Sequence, residues 1–261
     1  LSIRRQRQMC IRDRNKTMIK IITWITKIII IAITALLFSS CHFDYNSVKG
    51  SGTITTENRT ISEKFTGIDV SSAIEVTLEQ ADKVEVIVEA DDNLLNTIKT
   101  EVKNGKLVIS NESYVTIRNG TRRVTVKMPI IEDLEASSAS SITNKNTLKG
   151  NQIFIKSSSA GSIKLDLEMD AITCKSSSGS SIELKGLAMQ LDTQASSGST
   201  TKCFKLLANS IVADASSGSS IDVHPIVSLK AEASSGASIE YNSVPKNLQK
   251  KSSSGGSVEQ N

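Results

Sequence analysis

The amino-acid sequence predicts an all-β fold, a parallel β-helix with coils of 19–20 residues, on the strength of three observations. A seven-residue phrase returns seven times in the second half of the 261-residue chain: ASSASSI from Ala136, SSSAGSI from Ser157, SSSGSSI from Ser176, ASSGSTT from Ala195, ASSGSSI from Ala215, ASSGASI from Ala233 and SSSGGSV from Ser252. Each copy begins 18 to 21 residues after the previous one, the mark of a short supersecondary unit stacked on itself. Around every copy, apolar and polar residues alternate with the period of two that belongs to a strand.

The chain opens with segments that do not belong to this fold. Residues 1–17 (LSIRRQRQMCIRDRNKT) precede Met18, the natural start of a leader, and are set aside as an extension foreign to the protein. Residues 18–40 read as a secretory leader: Lys20 and Lys27, an uncharged apolar run of eleven from Ile28 to Phe38, then Ser39 and Ser40. The run is short beside the ~20 residues a bilayer span needs. Phe38-Ser39-Ser40-Cys41 resembles a bacterial lipobox, with Phe38 where Leu is usual, so Cys41 is the expected lipidation site and residues 41–49 a tether. Acyl chains contribute about 0.8 kcal/mol per buried CH2, and more than one of them would hold the protein at a membrane. Eight of the 31 basic residues and one of the 27 acidic ones lie in residues 1–40, leaving 23 bases against 26 acids from Cys41 onward. The basic character of the whole chain resides in its head, and no nucleic-acid partner is expected.

A single β-helix domain is expected over residues 50–261. Its first part, 50–135, holds candidate strands Phe65–Val70, Ala73–Leu78, Val84–Val88, Lys106–Ile109 and Val124–Met128. Asp91 and Asp92 read as helix caps for a short helix over Asn93–Val102, and Lys103-Asn104-Gly105-Lys106 reads as a hairpin turn. This region is expected to begin the stack and cap its N-terminal end.

Aligning the seven phrases of residues 136–261 produces columns. Ile142, Ile163, Ile182, Thr201, Ile221, Ile239 and Val258 close the phrase, and Leu134, Ile155, Cys174, Thr193, Ala213 and Ala231 stand two residues before it. Columns between them carry charge of mixed sign and read as solvated faces. The Ser-Ser-Gly core then makes one corner of each coil, where Gly179, Gly198, Gly218, Gly236 and Gly255 supply positive φ at no steric cost. The in-register apolar columns exclude a disordered Ser/Gly linker. No cap follows the seventh phrase, so a homodimer formed through that C-terminal end is a further expectation.

Chemistry is sparse. Cys174 and Cys203 fall at different points of the repeat and read as buried, unpaired thiols. His42 and His224 have no partner that would make a nucleophile; His224 is expected in a loop before Pro225. One acidic run, Asp222, Glu240 and Glu259, spans three consecutive coils and is the weak candidate for a cation or sugar site. No catalytic residue, metal site or cofactor is assigned.

Gly50-Ser-Gly52, Phe65-Thr-Gly-Ile68, Asp92-Asn-Leu-Leu95, Gly105-Lys-Leu-Val-Ile109, Val124-Thr-Val126 with Pro129, and the Ser-Ser-Gly-Ser phrases resemble the "head GIN" adhesin family of Bacteroidetes, over roughly residues 48–261. That resemblance implies a right-handed β-helix behind a lipoprotein signal in the cell envelope. Its motifs are nearly silent on activity, and the expectation of no enzyme rests on the sparse chemistry of the residues themselves. The expected function is therefore a lipid-anchored binding module or adhesin with a glycan or protein ligand, placed at the outer membrane on either its periplasmic or its surface side. The alternatives are a structural protein that associates end to end and a polysaccharide-active β-helix enzyme.

Overall fold

The structure, a computed structural model, describes residues 18–35, 47–112 and 116–261. They fall into two units, residues 1–46 and 47–261. In the first, Met18–Ala35 is one α-helix, α1, long and apolar enough to cross a membrane by length and composition. It starts ten residues before the uninterrupted apolar run, and its threonines satisfy their own hydroxyls. Thr23, Thr26 and Thr34 donate their hydroxyls to the carbonyls of Ile19, Ile22 and Ile30, one helical turn back. Cys41 and His42 lie outside the described residues.

The second unit is built of strands. β1 (Ser47–Lys49), β2 (Ile54–Arg59), β3 (Gly67–Val70), β4 (Glu75–Gln80), β5 (Glu85–Asp91), β6 (Ile98–Lys103), β7 (Lys106–Asn111), β8 (Thr116–Arg118) and β9 (Arg122–Met128) precede the repeats. The repeats supply β10 (Asp133–Ala136), β11 (Ser141–Asn144), β12 (Leu148–Ser157), β13 (Ser162–Ser176), β14 (Ser181–Ala195), β15 (Thr200–Ala215), β16 (Ser220–Ala233), β17 (Ser238–Tyr241), β18 (Asn247–Ser252) and β19 (Ser257–Gln260). Each coil pairs in parallel with the next, and the phrase columns are the registers. Ile142, Ile163, Ile182, Thr201, Ile221, Ile239 and Val258 follow one another as direct partners. A single apolar core runs through the unit from Phe65 to Val258.

Every coil bends at places where the inward alternation slips phase. In β15 the inward residues are Thr201 and Cys203, then Leu206 and Ala208, then Ile211, Ala213 and Ala215. Two slips divide that coil into three walls. Coils of unequal length differ at these bends, where the register shifts between Glu183 and Lys185 and again between Cys203 and Leu207. The serine corners stay aligned throughout.

Those corners are two-residue turns with φ > 0 at both central positions, the type I′ geometry. The expected glycines adopt φ of 67 to 77°, and each is preceded by a serine at 48 to 54°. The fourth residue of the turn donates to the first, as Ser199 N does to Ser196 O at 3.2 Å. Ala139 and Ala160 hold the glycine position in the first two phrases, at φ 60 and 59°.

An eighth corner precedes the seven. Val70-Ser71-Ser72-Ala73-Ile74-Glu75-Val76 aligns with the Ala136 phrase through Val70–Ala136 and Val76–Ile142, and Ser72 and Ala73 have φ of 68 and 54°. β3 and β4 are therefore a true coil. Beneath it, β7 pairs in parallel with β3 and β9 with β4, and then the sheet turns antiparallel through β6–β7, β9–β5 and β5–β2. That reversal ends the stack, as a cap should. The hairpin at Asn104-Gly105 forms as expected, with φ of 52 and 76°.

The expected helix over Asn93–Val102 does not form. Only Leu95–Thr97 makes a single 3-10 turn, without a side-chain cap, and the chain then enters β6. Ile98, Thr100 and Val102 are β-branched at alternate positions, and pairing with β7 decides the outcome. Asp91 caps no helix. Its carboxylate, 3% exposed, accepts the backbone N–H of Gly52 and of Thr121, both at 2.6 Å, and so clasps two loops. His224 lies within β16 rather than in a loop.

Two substitutions test this geometry by chemical denaturation. An L-residue in the left-handed region costs about 1–2 kcal/mol, partly offset by glycine's greater unfolded-state entropy, so Ala160→Gly should stabilise by about 0.5–1 kcal/mol. Gly186 (φ 116°) sits at a bend where a Cβ would lie 2.0 Å from the Leu167 carbonyl oxygen, so Gly186→Ala should destabilise by several times that amount.

Candidate binding faces of the solenoid

The corner stripe has an outer and an inner side. The central serines and glycines of the turns are exposed, whereas the fourth residue of the turn points inward. Ser140, Ser180 and Ser219 are buried, and each donates its hydroxyl to a carbonyl of the preceding coil: Val70 O at 2.9 Å, Ser157 O at 2.7 Å and Ala195 O at 2.9 Å. The same oxygens accept from the turn's own first amide, as Ser180 Oγ does from Ser177 N at 3.1 Å. Ser176 Oγ reaches Ser199 Oγ at 2.9 Å and Thr201 Oγ1 at 3.0 Å, which satisfies the one threonine in an otherwise apolar column. The inner half of the serine phrase is thus occupied with holding coils together.

The N-terminal end of the corner column is closed by side chains. Ser72 O, to which no turn amide among the described residues donates, accepts from Arg122 Nη1 at 2.9 Å and Asn111 Nδ2 at 3.3 Å. Burial lowers the Arg122 guanidinium pKa, and Glu75 offsets this only in part. A polar depression of about 380 Å3 beside it, bordered by Asp91, Arg122 and Arg123, is lined by groups already engaged with the fold.

Most charged columns are stitched into ion pairs along the stack. Lys106 bridges Asp133 (2.7 Å) and Glu135, and Lys156 also holds Glu135 at 2.9 Å. Burial alone would lower the Lys106 pKa, but its bonds to these carboxylates outweigh it and the net shift is upward. Lys164–Glu183 (3.1 Å) and Lys185–Asp166 (3.0 Å) continue the pattern. Each exposed pair is worth at most about 1 kcal/mol, but together they leave the outer faces balanced.

The acidic run is brought together as a ladder. Asp222, Glu240 and Glu259 are successive partners in one column, with Lys202 before them. Burial first, and the neighbouring Glu240 second, push the Asp222 carboxyl above its ordinary value, with Lys202 pulling the other way. Stacked one rung apart, the three carboxylates do not converge: among the described residues no group of three His, Cys, Asp or Glu is placed to hold a metal ion. Cys174 and Cys203 are buried and unpaired. Burial raises both thiols, Cys174 to about 12 and Cys203 well above its ordinary value, so neither is a thiolate at neutral pH. His224 Nδ1 lies 3.1 Å from Phe204 O and 3.2 Å from Asn242 Nδ2, within the strand framework.

One face differs. Around the bends, Leu187 (53% exposed), Met189 (54%), Leu207 (41%) and Ile226 (42%) present apolar side chains to solvent. They border an open depression of about 510 Å3, within the range of ligand pockets, with Glu168 and Asp170 on its rim. Leu187 and Leu207 are direct register partners. Reading columns from the serine phrase missed this strip, because each bend resets which residues point out. The visible signal was a set of apolar residues at positions the alternation leaves over.

An N-terminal β cap on a stack of serine-cornered parallel coils defines a class of β-solenoid, and comparison places the chain within it. Residues 64–245 match the family described as "Putative auto-transporter adhesin, head GIN domain", and the chain belongs to that family. Among solved structures it is similar to a "putative adhesin" from Bacteroides fragilis (TM-score 0.76, 18% identity, covering 82% of this chain and 100% of that one). A "putative lipid binding protein" from Parabacteroides distasonis is also similar (0.69, 21%, 82% and 99%), as is a "putative adhesin" from Parabacteroides merdae (0.66, 20%, 83% and 99%). At these identities the likeness concerns the fold. No curated protein matches the chain.

Two measurements check the site energetics. Ser219→Ala leaves a buried carbonyl and a turn amide short of one partner and should cost about 1–2 kcal/mol in urea unfolding, whereas Ser197→Gly, at an exposed positive-φ position, should cost nothing. For a carboxyl whose folded-state pKa is raised, stability is fully present below the ordinary carboxylate pKa and is lost as pH rises through the folded value. Asp222→Asn should therefore raise the melting temperature at pH 7, and the gain should vanish in acid below the ordinary aspartate range.

Proposed function

We propose that this protein is a non-enzymatic binding module of adhesin type, held in the cell envelope by a lipid on Cys41, which meets its ligand with the apolar strip around Leu187 and Leu207. The observation that carries this reading is the contrast between that strip, where four large apolar side chains border one depression, and the charged columns beside it. The neighbouring outer columns pair their charges along the stack, while four large apolar side chains on neighbouring coils stay in water. Exposed apolar patches of this kind, rimmed by polar residues, mark interaction sites. The family's description as adhesins and the apolar helix near the N-terminus support an envelope setting. The Parabacteroides distasonis relative described as lipid-binding supports an apolar ligand or partner group.

Cells displaying the protein provide the test. The double variant Leu187→Asp with Leu207→Asp should lose adhesion to glycoprotein-coated surfaces several-fold while its thermal unfolding stays within about 0.5 kcal/mol of the parent, as exposed substitutions do. Undiminished adhesion would remove the strip from the account. Metabolic labelling with a fatty acid should mark the parent and not Cys41→Ala. Protease shaving of intact cells decides between the two sides of the membrane, since a protein protected until permeabilisation is no adhesin.

A further inference from the structure

We infer that Lys250 is a terminating plug, which closes the C-terminal end of the solenoid core and prevents a second copy of the chain from stacking there. The register fixes its position. Leu107, Ile68, Leu134, Ile155, Cys174, Thr193, Ala213 and Ala231 form one inward-facing column in which each residue is the direct partner of the next, and all are buried. Lys250 is the partner of Ala231 and the next rung of that column. It is the column's one charged residue, placed where each earlier coil has an uncharged side chain turned into the core.

Its side chain lies across the end of the core. Lys250 Nζ is 3.3 Å from Tyr241 Oη and 3.2 Å from the Val258 carbonyl oxygen, and stands 5.4 Å from the centroid of the Tyr241 ring. Tyr241 and Val258 are the outermost buried residues of the facing wall. The aliphatic stem thus covers the last apolar rungs and leaves the ammonium in water. A coil of a second copy stacked on top would take that ammonium out of water. Among the described residues no carboxylate lies within ion-pair distance of it, so nothing would offset its desolvation. The edge strand carries Lys246 just before it and Gln249 and Lys251 within it, the charged character that blunts an exposed strand against pairing. An open stack of parallel coils has two ends to protect. Here the end before the repeats is closed by antiparallel strands, and the last described coil carries a single lysine at the rung that follows the inward column.

Sedimentation velocity on residues 47–261, the unit that contains the whole core, tests the plug. The parent should remain a monomer over a wide concentration range. Lys250→Leu should shift with concentration to dimers and larger species, and Lys250→Met should do the same should the leucine variant fold poorly by circular dichroism. Lys251→Leu, in the outward column beside Glu232, should stay monomeric. Adding Leu248→Lys to Lys250→Leu puts a lysine back into an inward column and should restore the monomer. A folded Lys250→Leu and Lys250→Met that both remain monomeric would overturn the inference. So would a parent that itself self-associates, or association that persists in the Leu248→Lys double variant, since the contact would then lie elsewhere.

Discussion

The structure depends on one hydrogen bond repeated from coil to coil at the serine corner. The amide of the second central turn residue donates to the carbonyl of the first central residue one coil further on: Ala73 to Ser138, Ala139 to Ser159, Ala160 to Ser178, Gly179 to Ser197, Gly198 to Ser217, Gly218 to Ser235 and Gly236 to Ser254, at 2.9 to 3.2 Å. A two-residue turn ordinarily leaves these groups to water. Here both central residues adopt positive φ, which turns the N–H toward one neighbour and the C=O toward the other, so the ladder of the walls continues around the bend. Serine at the first position and glycine at the second follow from that requirement. A small side chain at each corner lets coils approach to strand spacing, about 4.8 Å. In three coils a buried hydroxyl at the fourth position, Ser140, Ser180 or Ser219, adds a second donor to a carbonyl of the preceding coil.

The other features follow from keeping that corner fixed. Differences in coil length are absorbed at the far bends, where the register slips and where Gly186 takes an unusual φ. Apolar residues displaced by those slips emerge as the strip around Leu187 and Leu207, so the most distinctive outer face is a by-product of the constraint. Where the column meets the N-terminal β region, Ser72 O takes side-chain donors in place of the repeated turn amide: Arg122 and Asn111.

Much of the fold was legible because stacking writes itself as columns. Seven phrases at near-constant spacing, each closed by an inward Ile, Thr or Val, leave little room for another architecture. The eighth corner at Val70 escaped notice because it has Ala73 in place of glycine and Ile74 in place of the buried serine. The Asn93–Val102 helix was misread because Asp91 and Asp92 imitate a cap, and only the non-local pairing of β6 with β7 overrules that local pattern. The binding faces were less legible. The acidic run was legible as a column, but a column does not give the spacing of its carboxylates, and among the described residues the three make no metal-holding group. The apolar strip depends on where each coil bends, which the serine phrase does not encode. Cys41, the residue that would place the protein in the envelope, is known from the sequence alone.

Native-state hydrogen exchange resolved to single amides tests the central claim most directly. If the corner bond holds the coils together, the amides of Gly179, Gly198, Gly218 and Gly236 should exchange only with global unfolding, although they belong to exposed turns. Gly255, with no further coil to accept its N–H among the described residues, should exchange fast and serves as the internal reference. Corner amides that all exchange as fast as Gly255, while wall amides such as Ile182 and Ile221 stay protected, would show that the walls alone hold the stack and would contradict the account.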